Sequence, residues 1–127
     1  MYEEKDYVLR LIRESIRMVA KIAFGKDIDQ DDETLPLEVV EQHRRLSAMI
    51  DDGEINEAEN ILLDNLDAEN MGYFQMALQF YQQLNEKSEK YLNQHNFSKE
   101  EILDDIKYVI NFYGYGNMME ALIEDIE

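Results

Sequence analysis

Apolar residues recur every three or four positions along almost the whole chain, the spacing of helix faces rather than of strands. Val8, Ile12, Ile16, Val19 and Ala23 form one stripe, and Leu9, Leu11, Met18 and Ile22 widen it beyond a single contact face. The pattern predicts a first helix over residues 6–24. Gly25 ends it, because a residue without Cβ adopts the left-handed stop conformation readily. Residues 27–34 are acidic and unpatterned, and read as a loop. A second helix opens at Pro36, where a missing N–H is not needed, and carries Val39, His43, Leu46 and Ile50 to residue 51 before the Asp52-Gly53 turn.

A third helix over residues 55–67 has Ile55, Ala58, Ile61, Leu62 and Leu66 on its inner side. A long fourth helix is predicted over residues 71–94 from Phe74, Ala77, Leu78, Tyr81, Leu84, Tyr91 and Leu92. Ser98-Lys99-Glu100-Glu101 is a capping box, in which the serine hydroxyl accepts from a free backbone N–H and Glu101 reaches back. It starts a fifth helix that runs to residue 113, with Ile102, Leu103, Ile106, Val109 and Ile110 inward. After Gly114-Tyr115-Gly116 a short last helix covers residues 117–126. Tyr73, Phe74, Phe80, Tyr81, Tyr108, Phe112, Tyr113 and Tyr115 follow the helix period closely enough to be expected in the core.

The expected fold is therefore all-α: one domain of five helices plus a short C-terminal helix. It divides into a basic amphipathic helix (1–26), an acidic loop (27–35) and an acidic helical body (36–127). Gly53, Ala58, Leu62 and Leu66 stand at the spacing of the second half of a tetratricopeptide repeat, where the alanine lets two helices approach closely. Gly116 to Ala121 echoes this, 63 residues on rather than at a multiple of the 34-residue repeat. Gln42 occupies the place of the usual first-helix aromatic. Antiparallel hairpins stacked in a tetratricopeptide-like manner are the expected arrangement.

The run from Asp6-Tyr7-Val8 to Ile12, the Phe24-Gly25-Lys26 stop, Glu57-Ala58-Glu59 and Asn96-Phe97-Ser98 together resemble a family of small bacterial helical proteins classed only as a domain of unknown function. The resemblance covers nearly the full length. It implies a helical, repeat-like fold and supplies neither an activity nor site residues.

Net charge sharpens the picture. The chain carries −17 overall, yet residues 1–26 are +2, with Lys5, Arg10, Arg13, Arg17, Lys21 and Lys26 against four acids, leaving −19 on the remainder. Such a surface repels phosphate backbones, so a nucleic-acid partner is not expected. There is no cysteine, which excludes disulfides and thiolate metal sites. A charged start without a signal-type apolar run, and no apolar stretch of membrane-spanning length, lead to the expectation of a cytoplasmic, soluble protein.

No catalytic motif is present, and no cofactor is expected. Asp51/Asp52, Glu100/Glu101 and Asp104/Asp105 are sequence neighbours that diverge by roughly 100° on a helix, so they do not form acid–base dyads. His43, on the apolar side of its helix, and His95, at a helix end, both stand apart from any metal-binding spacing. Asp27, Asp29, Asp31 and Glu38 match calcium-loop positions 1, 3, 5 and 12, but Asp32 replaces the turn glycine. Arg10, Arg13, Arg17 and Lys21 form one basic stripe, which either faces water or the acidic body of its own chain, as charge runs usually do, or meets another chain or an anionic lipid surface.

These readings converge on a non-enzymatic protein-interaction or scaffold module that forms a homodimer through its first helix. Arg10, Arg13, Arg17 and Lys21 would supply charge, and Leu11, Met18 and Ile22 apolar anchors. Two other uses stay open: peripheral membrane association through the same helix, which the acidic remainder opposes, and cation binding by the acidic loop.

Overall fold

The computed structural model describes residues 2–28 and 34–126, with side chains from 7 to 124. Among them are α1 (Tyr2–Phe24), α2 (Leu37–Asp51), α3 (Ile55–Asp64), α4 (Met71–Glu86), α5 (Glu89–Gln94), α6 (Lys99–Phe112) and α7 (Gly116–Ile126). All described secondary structure is helical.

α4 is the axis of the molecule. Tyr73 to Leu78, Phe80, Tyr81, Leu84 and Asn85 are all buried, so the helix is covered around its circumference. α1, α2 and α6 pack directly on it. α1 also packs on α6 and α7, and this accounts for its wide apolar face: one helix meets three neighbours. Val8, Leu11, Ile12, Ile16, Val19 and Ala20 are buried on it.

The expected long fourth helix is two elements. Lys87 is extended, and the Ser88 side chain accepts from Tyr91 N, which starts α5. The Lys99 ammonium reaches back from α6 and donates to the carbonyls of Asn85 and Lys87 (3.0 Å to the latter). Free carbonyls at a helix end favour a cation, so α4 stops where Lys99 meets it. α5 then ends with Asn96 at φ 59° and Phe97 N donating back to Leu92 O at 2.9 Å, a left-handed closure that asparagine tolerates.

α3 is shorter than periodicity suggests, because Asn65 Nδ2 donates to Ile61 O at 2.8 Å and the chain leaves the helix. The serine half of the capping box forms as expected, with Glu101 N donating to Ser98 Oγ at 3.1 Å, while the Glu101 carboxylate turns back to accept from the Ser98 hydroxyl at 3.2 Å rather than from its backbone N–H. α2 and α3 pack together across the Asp52-Gly53-Glu54 turn, with Ala58 fully buried.

Phe74 anchors an aromatic cluster, stacked on Tyr113 at 4.3 Å and Tyr115 at 5.8 Å and tilted against Phe24 at 5.6 Å. Two expected core aromatics are elsewhere: Tyr108 is 58% exposed and Phe112 38% exposed. Both lie on the side of α6 away from the buried Ile106 and Ile110, two positions or about 200° further round the helix in each case.

Gly53 has φ 86°, and a Cβ there would stand 2.5 Å from His95 Cε1. Gly114 has φ 93° but open space around it. Replacing either by alanine is expected to cost about 1 kcal/mol or more through backbone strain. Only Gly53→Ala adds the clash with His95, so urea titration should show it to be the more damaging change. Equal losses would mean that the ring moves aside freely.

Candidate functional site

The outer face of α1 is set by the helix period: burial of Ile12, Ile16 and Val19 turns Arg10, Arg13, Arg17 and Lys21 outward. All four are exposed. Arg17 pairs with Glu14 at 3.3 Å and Lys21 approaches Asp27 at 3.8 Å. Such exposed pairs contribute little to stability. Of the three proposed apolar anchors, Ile22 is 53% exposed and Met18 half-buried. Leu11 is a correction: it is 3% exposed, enclosed by its own chain where α1 meets three helices, and offers no surface to a partner.

A groove of about 690 Å³ runs beside this face, between α1, the α4–α5 junction and the start of α6. Arg13, Arg17, Lys87 and Lys99 line it, against Asp27, Glu86 and Glu89. Leu9 and Ile16 form its apolar wall. Lys87 is held by Asp51 at 2.7 Å, and the hydrogen bond it donates, helped by its charge, keeps the Asp51 carboxyl below the usual carboxylate range. Burial lowers the Lys99 pKa; nearby Glu89 opposes the shift and Arg13 reinforces it. Because the Lys99 ammonium is bonded to backbone carbonyls of the α4 end, it acts as a structural cap and is not available as a nucleophile.

A second polar cluster lies between α3, α4 and α6. Glu59 is 8% exposed and accepts a hydrogen bond from Tyr81 Oη at 2.8 Å. Burial, then the facing Asp105 with which it hydrogen-bonds, push the Glu59 carboxyl up to about 8; Tyr81 pulls the other way, and Glu101 adds repulsion. Two carboxyls in contact share a proton rather than both ionise. Sequence reasoning found neither Lys99 nor Glu59. A signal existed for Glu59, which falls four residues after Ile55 and three before Leu62, on the apolar stripe of α3.

The proposed calcium loop is only partly visible. Asp29 and Asp31 lie outside the described residues; Asp27 approaches Lys21, and Glu38 is exposed in the first turn of α2. Among the described residues no three His, Cys, Asp or Glu side chains converge on a metal-sized space. His43 is half-buried, with its pKa lowered by burial. His95 packs on Tyr91, ring centres 4.6 Å apart. No described helix is long and apolar enough to cross a membrane.

The chain belongs to a family of unknown function (DUF6483), which matches residues 1–114. Neither the curated proteins nor the solved structures contain a match.

The Glu59 cluster sets a pH dependence. Between pH 4.5 and about 8 the unfolded chain has Glu59 ionised while the folded chain retains the proton. The folded state then binds more protons, so stability falls as pH rises through this window. The contribution is complete below pH 4.5 and lost above about pH 8. The stability of wild type relative to Glu59→Gln should therefore decline across the window, by up to about 1.4 kcal/mol per pH unit. A difference that stays constant with pH would show that ionised Glu59 is tolerated where it sits.

Proposed function

We propose that this chain is a non-enzymatic protein-interaction module that self-associates through the outer face of α1. The observation that carries the reading is the exposure of Arg10, Arg13, Arg17 and Lys21 along one side of α1, in a chain of net charge −17; Ile22 is bare on the adjoining side, about 100° round the helix from Lys21. Half of the twelve basic residues fall within the first 26 positions, so no other segment concentrates positive charge comparably. A stripe of cations along one helix side suits an acidic partner surface.

A scaffold role is supported by the absence of a described reactive arrangement: the buried lysine caps a helix and the buried carboxyl is bonded to its neighbours. The α2–α3 hairpin, closed on Ala58 and laid against α4, supports stacking of the tetratricopeptide kind, whose repeats serve as docking scaffolds. The cytoplasm is the proposed location; a chain without cysteine needs no oxidising compartment for disulfides.

Native mass by light scattering tests the reading. Wild type is expected to be a dimer at micromolar concentration and about 0.15 M salt. Ile22→Glu combined with Arg17→Glu should weaken it at least about tenfold, a loss of roughly 1.4 kcal/mol, while the melting temperature stays nearly constant because both positions are exposed. A monomer at every concentration would remove self-association.

A further inference from the structure

We infer that the surface receiving the α1 face is the outer side of α6 on a second copy of the chain, in a two-fold dimer. The inference rests on the self-association proposed above and adds what α1 docks against. α6 turns Glu101, Asp104, Tyr108 and Phe112 to one side, and all four are exposed. They occupy an arc of about 80° at 100° per residue, opposite the buried Ile106 and Ile110. Tyr108 and Phe112 are two of the five large apolar side chains left exposed among the described residues, and Ile22 of α1 is a third.

The two faces match in spacing. On α1 the ladder is Arg10, Arg13, Arg17, Lys21; on α6 it is Glu101, Asp104, Tyr108, Phe112. Each advances by three, four and four residues, and at 1.5 Å per residue each spans about 16 Å. Laid parallel and in register, Arg10 and Arg13 meet Glu101 and Asp104, Arg17 meets the Tyr108 ring, and Lys21 meets the Phe112 ring. A planar guanidinium both pairs with carboxylates and stacks on aromatic rings, so each step has complementary chemistry. Run antiparallel, the step order reverses and the ladders fall out of step.

Geometry within one chain favours closure. α1 and α6 are packed neighbours, so a two-fold axis that sets α1 on the partner's α6 sets α6 on the partner's α1 as well. Both contacts then form together and the assembly closes as a dimer. The acidic bodies repel at long range, but at about 0.15 M salt charges farther apart than about 8 Å are largely screened, while contacting pairs keep their attraction.

A charge-swap experiment tests this. Arg13→Asp and Asp104→Arg are made separately in the full chain, each checked for an unchanged helical spectrum and melting curve. Each alone sets like charge against like charge in both interfaces. Each should therefore fall to monomer mass, with association weakened at least about tenfold. Mixed in equal amounts they should recover a dimer, because one interface is then native and the other has both charges exchanged. If Arg13→Asp weakens association and Asp104→Arg does not, α1 docks elsewhere: the inference fails while the α1 reading stands. If both variants are monomers and the mixture stays monomeric, the pairing of these two positions is overturned. A monomeric wild type removes both readings.

Discussion

A helix buried on every side denies its polar groups water, and each must then find a partner in the protein. α4 is in that position, and the requirement organises the structure around it. Asn85 Nδ2 donates to Leu9 O of α1 at 3.1 Å, Gln83 to Ser47 O of α2 at 3.2 Å, and Gln79 to Ile28 O after α1 at 2.9 Å. Tyr73 donates to Leu62 O at 2.8 Å and Tyr81 to Glu59 at 2.8 Å, both on α3. Lys99 of α6 closes its C-terminal end. These bonds tie α4 to α1, α2, α3 and α6, so the hydrophobic collapse onto α4 also sets the register of its neighbours. Gln75 Nε2 is buried without a partner, and nothing in the structure explains it.

The same burial decides which charges are usable. Lys99 and Glu59 are charged residue types drawn inside to serve the α4 hydrogen bonds, and each is held with its pKa shifted against its charge by burial. Lys99 caps the end of α4, and Glu59 is bonded to Tyr81. What remains outward is sorted by helix: α1 shows cations, and α6 shows carboxylates beside two aromatic rings. Two helices that pack together inside the chain therefore present opposite character outside it, which is the basis for reading both as interaction surfaces.

Much of the fold was legible in the sequence because helix periodicity and capping are local. The stripes of α1, α2 and α6, the left-handed stop at Gly25, the Asp52-Gly53 turn and the capping box at Ser98 all depend on residues within a few positions of one another. The outward stripe of Arg10, Arg13, Arg17 and Lys21 follows from the same period, since a helix that buries Ile12, Ile16 and Val19 has to show its other side. The composition also determined the polarity of charge between the first 26 residues and the rest.

What the tertiary structure decided are the features created by residues distant in sequence. α4 ends at Glu86 because a lysine twelve or more residues later reaches its carbonyls. Glu59 holds its proton because packing buries it on α3 and sets it against Asp105, 46 positions away. Leu11 is buried, and not an anchor for a partner, because α1 meets three helices, whereas a sequence pattern shows only that an apolar face is wide. Tyr108 and Phe112 follow Ile106 and Ile110 by two positions, about 200° round α6, and they lie outside because the core packs on the other side. Periodicity tells which residues share a face; which face is buried, and by what, depends on the packing of the whole chain.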